Sequence, residues 1–245
     1  MVIRVGTYNV RSMYDDTAAL ARVIRAMAPD VLCVQEAPRL LGWRRKRAML
    51  ARSAGLRVVT GRRWGGVAVL ADPGTRAVHA ESHLLRPFAG LERRGVAVAV
   101  VERDGAAITV ASVHLDLHSA ARLCHAVEIM DIAKDVARRF GAPLVLAGDV
   151  NEQQGGPTWT YLTRTLADCY PLAPRGDGLT FTARAPGKRL DVVLAASGIA
   201  VRSCGGVEEA AAADLWAATD HLPVLAELLA SRPAGAGTLG ELTRA

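Results

Sequence analysis

The stretch Ala142-Pro143-Leu144-Val145-Leu146-Ala147-Gly148-Asp149-Val150-Asn151 sets an apolar run between a proline and a glycine and closes with a carboxylate and an amide. The run is too brief for a helix of usual length and predicts a short buried strand. Gly148 lets the backbone turn where a side chain would interfere. Asp149 and Asn151 stand two apart, so an extended chain would point both to the same side. A carboxylate and an amide at the end of a rigid strand suit a hard cation and a water. An ordinary Asp-Asn turn accounts for the same residues, because both types dominate turns. On this stretch alone both readings stand.

Working outward, Ser119–Phe140 reads as the best helix in the chain, with Leu123, Val127 and Met130 on one face and Ile132, Val136 and Phe140 adjoining. Gly141 and Pro143 stop it. Before it, residues 96–101 and 107–113 flank Asp104-Gly105, a strong hairpin signal, and the second of these strands delivers His114. Downstream, Pro157 suits the first turn of another short helix, and residues 190–196 and 223–229 are the last clear strands. Toward the start, residues 2–8 form a strand ending at Asn9, and Asp15 and Asp16 cap a helix carrying Leu20, Val23, Ile24 and Met27. Residues 31–34 make a second buried strand closing on Gln35-Glu36, and residues 43–54 a short basic helix. Arg57–Thr60 and residues 66–71 read as paired strands. From Ser231 the chain turns Gly-, Ala- and Pro-rich, and residues 231–245 are expected to be a flexible tail on a domain of residues 1–230.

At 245 residues, 51% of them hydrophobic, the chain has material for one large domain. A formal net charge of +6 and a pI near 9.5 favour a polyanionic partner, although heavy use of Arg and Ala throughout would also raise the charge. Cys33, Cys124, Cys169 and Cys204 are scattered, which implies neither a zinc site nor a disulfide framework. The first residues lack a secretion-signal pattern, and no stretch approaches the roughly 18 apolar residues of a membrane span. The expectation is a cytoplasmic protein with no transmembrane segment and no obligate protein partner. Hairpin-like strand pairs with few helices between them argue for two face-packed sheets with helices outside.

Polar residues recur where strands end: Asn9, Glu36, His114 and the Asp149/Asn151 pair, joined later by Asp191 and by Asp220-His221. Singly, each has a structural explanation as a strand terminator, a cap or a core histidine. Asp191 is the hardest to explain so, because a carboxylate entering a buried strand needs a partner.

The ordered series Thr7-Tyr8-Asn9-Val10, Val34-Gln35-Glu36, Ser112-Val113-His114-Leu115, Gly148-Asp149-Val150-Asn151, Leu190-Asp191-Val192-Val193 and Thr219-Asp220-His221-Leu222-Pro223-Val224 resembles the endonuclease/exonuclease/phosphatase superfamily of metal-dependent phosphohydrolases. The resemblance implies an α/β fold, a four-layer α/β/β/α sandwich of two packed mixed β-sheets flanked by helices. It implies Glu36 as the principal ligand of Mg2+ (or Mn2+), with Asn9 beside it and Asp220 as a ligand or supporting carboxylate. Asp149 would orient or deprotonate the attacking water, helped by Asn151, which can also bind a phosphate oxygen. His221 would contact the scissile phosphate with Asp191 fixing its ring, and His114 would be the second histidine. Arg94 best fits the arginine that reaches the phosphate, with Arg93 as its competitor.

Val150 and Thr219 replace the usual Phe and Ser of the pattern, which touches packing and not chemistry. His114 disfavours the abasic-site repair branch, where a Tyr is usual. The resemblance thus implies a phosphoesterase acting on a phosphate ester, first of all a nuclease-like hydrolase of phosphodiesters with nucleic acid as a candidate partner. A phosphomonoesterase or a lipid or inositol-phosphate hydrolase is the alternative, and a binding module that has lost catalysis stands further off. The basic clusters Arg44-Arg45-Lys46-Arg47, Arg62-Arg63 and Arg93-Arg94 could follow a polyanion or be solvated faces. No apolar hairpin stands out as a membrane-docking element.

Overall fold

The computed structural model describes residues 1–230; the tail expected over residues 231–245 lies outside the described residues. The chain opens with β1 (Val2–Asn9), α1 (Thr17–Met27), β2 (Val31–Gln35) and α2 (Trp43–Ser53). There follow β3 (Arg57–Thr60), β4 (Ala68–Ala71), β5 (Arg76–Leu84), β6 (Gly95–Arg103) and β7 (Ala106–His114). The long helix α3 (Ser119–Phe140) leads into β8 (Leu144–Asp149), α4 (Pro157–Thr163), β9 (Leu166–Asp168), α5 (Cys169–Leu172) and β10 (Pro174–Arg175). The last elements are β11 (Asp191–Ala196), β12 (Ala200–Gly205), α6 (Ala212–Ala218) and β13 (Val224–Leu229).

Among the described residues the strands form a seven-stranded sheet, β10-β12-β13-β1-β2-β4-β3, and a six-stranded sheet, β5-β6-β7-β8-β11-β9. Both are mixed: β1 runs parallel to β2 and β7 parallel to β8, while β13 returns antiparallel to β1. The alternation of side chains along each strand explains the layering. Ala97, Ala99 and Val101 of β6 point into the space between the sheets, where they meet Val5, Val31, Cys33 and Val69. Val96, Val98 and Val100 point the other way, onto the Ile129, Met130, Ala133 and Val136 face of α3. Leu20, Ile24 and Met27 of α1 cover the outer face of the first sheet. Helices thus lie outside both sheets, giving the four-layer α/β/β/α sandwich.

Local chemistry sets several of the boundaries. Asp16 caps α1 by accepting from the backbone N–H groups of Ala18 and Ala19. Gly141 closes α3 in a left-handed conformation, and Pro157 opens α4. Among the described residues no helix is long and apolar enough to cross a membrane.

Three expectations change. The buried face of α3 does not run through Val127, which is 39% exposed, but through Ala126, Ile129, Met130, Ala133 and Val136, together with Arg122 and His125. Apolarity alone gives the wrong phase because these two polar residues are buried with partners: Arg122 with Glu152, and His125 Nε2 with the carbonyl of Arg86. β5 and β12, which sequence patterning does not reveal, are strands whose polar and charged residues are half-buried or exposed. Gly148 makes no turn. It lies inside β8, where a β-carbon would overlap the carbonyl oxygen of Val113 on β7.

Gly148→Ala is accordingly expected to destabilise the domain by about 3 kcal/mol or more, since the β-carbon meets a backbone carbonyl that cannot swing aside. Thermal and urea unfolding of the variant measure this, and a midpoint equal to the parent's would contradict it.

Candidate active site

Strand register brings the first three groups together. His114 pairs with Asp149 across β7 and β8, and Asp149 pairs with Asp191 across β8 and β11. Paired residues on neighbouring strands present their side chains to one face, so a histidine and two carboxylates form a row at one edge of the second sheet. The first sheet contributes Asn9, the last residue of β1, and Glu36, one residue beyond β2, where Asn9 pairs with Gln35. Glu36 has a left-handed backbone (φ 47°), and its carbonyl accepts from Ser12 N at 2.8 Å, which fixes the loop that presents it. His221 stands just before β13.

These side chains converge on one oxygen, Asp149 Oδ2. It lies 3.2 Å from Asn9 Nδ2, 3.5 Å from His114 Nε2 and 3.7 Å from His221 Nε2. The same Asn9 amide donates to Glu36 Oε1 at 3.1 Å, so it ties the two carboxylates together. Its own oxygen accepts from Arg11 N at 3.0 Å. His221 Nδ1 is 2.8 Å from Asp191 Oδ2, and Phe181 packs against the other part of the ring at 4.9 Å between centroids. The start of β11 is held by Thr180, whose hydroxyl accepts from both Leu190 N and Asp191 N.

Asn151 departs from the expected geometry. β8 ends at Asp149, and Asn151 adopts a left-handed backbone (φ 50°), so the two do not share a strand face. Asn151 N donates to Asp149 Oδ1 at 2.9 Å, while its Nδ2 donates to the carbonyl of Leu115. The turn and the site are therefore one structure: the Asx turn orients the carboxylate.

Glu36, Arg94, His114, Asp149, Asn151, Asp220 and His221 all line one cleft of about 730 Å³. Arg94 is buried and Arg93 exposed, and only the former lines the cleft. Arg94 Nε lies 3.5 Å from Asp116 Oδ2, and Glu92 stands between Arg94 and Arg39. Asp220 is half-exposed and lies 3.6 Å from Arg11 Nε. Asn9 and Asp191 are buried behind the cleft, Asn9 in contact with Glu36 and Asp149 and Asp191 with His221. Sequence reasoning did not single out Arg39, Asp116, Thr180 or Phe181. The spacing of Asp116 two residues after His114 was the available signal for that residue; the others are assembled only by tertiary contact.

Charge states follow from these surroundings. Burial and then the neighbouring charge of Asp191 push the Asp149 carboxyl up to about 7, against the pull of His221 and two hydrogen bonds. Burial alone would depress His221, but the charge and hydrogen bond of Asp191, reinforced by Asp149 and Asp220, raise it to about 9. His114 is held well below its ordinary value by burial and by the positive charges of Arg94, His221 and Arg39. At neutral pH one histidine is a cation, the other is neutral, and the acid between them is poised to exchange a proton.

Carboxylate and amide oxygens suit Mg2+ or Mn2+ as hard donors. Glu36 reaches the cleft with one oxygen committed only to Asn9, and Asp220 lines the same cleft, so this donor set fits a hard divalent cation. Asp149, Asp191 and His221 also place ligand atoms within 4.8 Å of one another. There the His221 ring is engaged by Asp191 through Nδ1 at 2.8 Å.

Fold and cleft define the class: a four-layer α/β/β/α domain with the fold of phosphoesterases, in which both sheets bring polar strand ends to a single cleft. Residues 6–221 match the Endonuclease/Exonuclease/phosphatase family, and the chain belongs to that family. No curated protein matches it in sequence. An endonuclease/exonuclease/phosphatase from Bacteroides vulgatus superposes with a TM-score of 0.79 at 17% identity, over 94% of this chain and 100% of that one. A mannosyl-6-phosphatase from Bacteroides thetaiotaomicron gives 0.76 at 18% identity, over 93% of this chain and 99% of that one. The catalytic domain of human Nocturnin, with a bound sulfate anion, gives 0.73 at 16% identity over 94% of each chain. These likenesses are of fold.

Asp191→Asn is expected to lower the titration midpoint of His221 from about 9 toward its ordinary 6.5, because burial is then opposed only by the weaker pull of Asp149 and Asp220. Ring-proton NMR across pH reads the midpoint; an unshifted value would show that Asp191 does not set the charge. In the parent, the raised midpoint adds stability that is fully present below pH 6.5 and is lost as pH rises through about 9. The variant should lose that alkaline dependence.

Proposed function

We propose that residues 1–230 form the catalytic domain of a Mg2+-dependent phosphoesterase, with a phosphodiester as substrate and water as nucleophile. The observation that carries this reading is the buried Asp149, flanked by a cationic and a neutral histidine and tied through Asn9 to Glu36. Glu36, with the second lone pair of the Asn9 oxygen and with Asp220, would hold the cation. When bound, Mg2+ neutralises phosphate charge and polarises the phosphoryl oxygens.

Asp149 has a pKa near 7 and a fixed orientation, so it takes a proton from an attacking water without first being desolvated. His221, held protonated by Asp191, donates toward a phosphate oxygen and counters the charge that grows as the water attacks. Neutral His114 offers one ring N–H as a hydrogen bond to a phosphate or leaving oxygen, and the leaving oxygen takes its proton from solvent water. Arg94 offers a buried guanidinium to the phosphate, and Asn151 keeps Asp149 aimed at the water. A cleft of this size, lined well beyond the carboxylate and histidines, has room for ester groups on both sides of phosphorus.

Purified protein incubated with plasmid DNA, RNA, sphingomyelin and inositol phosphates, with Mg2+ or with EDTA, tests the reading. Metal-dependent hydrolysis of at least one is expected, and a folded protein inactive on all of them would refute it. On the responsive substrate, Asp149→Asn and His221→Ala should each lower kcat roughly 100-fold or more. Glu36→Gln should raise the Mg2+ concentration needed for half-maximal rate. Near-normal turnover by the Asp149 variant would remove it as the water-handling group.

A further inference from the structure

Charge is distributed unevenly along this chain. Nine of its 30 Lys and Arg residues lie between Ala37 and Ala71, where no Asp or Glu occurs, so the remainder carries 21 basic against 24 acidic residues. The whole excess behind the net charge of +6 therefore comes from one segment. That segment comprises α2, β3 and β4 with the loops before and between them.

Arg47 is the buried member and is used by the fold. Its guanidinium donates to the carbonyls of Pro38 and Ala37 in the first loop and of Arg62 in the second. Arg63 Nε donates to the carbonyl of Arg39 at 3.0 Å, so the two loops form one surface. The segment's exposed cations include Arg44, Arg45, Lys46 and Arg52 on α2, Arg57 on β3, and Arg62 and Arg63 in the second loop. Among the described residues the segment's one ion pair is Arg39 with Glu92.

Apolar side chains stand in solvent amid these cations. Leu40 is 63% exposed, Leu41 94% and Trp64 50%. Arg63 covers one face of the Trp64 ring, with its guanidinium carbon 4.8 Å from the ring centroid. The surface also forms a wall of the cleft. Its first loop begins directly after Glu36, Ala37 N donates to Gly66 O at 2.8 Å, and Gly65 bridges to Arg94.

We infer that this surface docks on an anionic lipid bilayer, with Leu40, Leu41 and Trp64 entering the headgroup boundary and the surrounding cations pairing with lipid phosphates and carboxylates. Positive charge alone would suit any polyanion. The leucines make the distinction. Aliphatic tips gain only by leaving water for an apolar phase, which a bilayer supplies and a nucleic-acid backbone does not. Tryptophan favours the same boundary, and long arginine stems reach from it to the headgroups. Docking in this orientation presents phospholipid phosphodiesters to the cleft, a consequence that rests on the proposed hydrolase activity.

Cosedimentation in EDTA separates docking from hydrolysis. The protein should pellet with vesicles of phosphatidylcholine mixed with phosphatidylserine, not with phosphatidylcholine alone, and high salt should release it. The Leu40→Ser, Leu41→Ser double variant should bind about tenfold less tightly or worse, while its rate on a soluble phosphoester is unchanged. Trp64→Phe should abolish the blue shift of fluorescence that vesicles cause in the parent. Absence of binding to the anionic vesicles would overturn the proposal, as would a double variant that binds as the parent does. Tight binding of oligodeoxythymidylate, unaffected by the leucine changes and not displaced by vesicles, would assign the surface to nucleic acid instead. Vesicle binding by a protein that hydrolyses no phosphoester would leave docking standing and remove the catalytic reading.

Discussion

Asp149 and Asp191 face each other on neighbouring strands, each with about 1% of its surface exposed, and two acids so placed cannot both ionise without a cation between them. His221 is that cation, 2.8 Å from one carboxylate and 3.7 Å from the other. Much of the surrounding structure serves to keep it there. Thr180 pins the backbone at the start of β11, and its own carbonyl accepts from Leu222 N, one residue past the histidine. Phe181 closes over the ring. Among the described residues the other oxygen of Asp191 has no hydrogen-bond partner and borders an apolar cavity of about 190 Å³, so the acid depends on His221 for its charge to be tolerated. The ion pair is thereby committed to one geometry, with the free ring nitrogen directed toward Asp149.

The two histidines near Asp149 are of one residue type and about equally buried, yet their environments drive them apart. His221 faces three carboxylates; His114 faces Arg94 and, across Asp149, the His221 cation itself. Charge on the first helps to keep the second neutral. On the proposed reading, a phosphate ester in this cleft meets a positive donor on one side and a neutral donor on the other. Glu36 stands apart from this group, and the Asn9 amide joins it to Asp149.

The sequence makes local structure legible where glycine, proline and short apolar runs bound an element, as with β8, α3 and the β6–β7 hairpin. It also exposes the polar strand ends, since a carboxylate or histidine at the end of a buried run is conspicuous against valine and alanine. It does not show register, and register is what sets His114, Asp149 and Asp191 in one row. Nor does it show that Gly148 answers to the neighbouring strand's carbonyl, or that Asn9 joins two acids. Arg122 and His125 look like surface residues of a helix. They are buried because Glu152 and the carbonyl of Arg86 await them, and that partnership shifts the face of α3 by part of a turn. Pairwise contacts between distant segments carry this information, and hydropathy along the chain does not.

The placement of β13 bears on how the molecule comes into being. This strand is inserted between β12 and β1, with Val2 opposite Leu229 and Thr7 opposite Val224. During synthesis β1 is made first, and one of its edges has no partner until the chain has grown by more than two hundred residues. Closing so long a loop is slow, and an open edge invites pairing with another chain. The same late segment carries His221, so a nascent chain can hold Glu36, His114 and Asp149 while lacking the cation that lets the two acids coexist. Closure of the sheet and completion of this charge balance are one event.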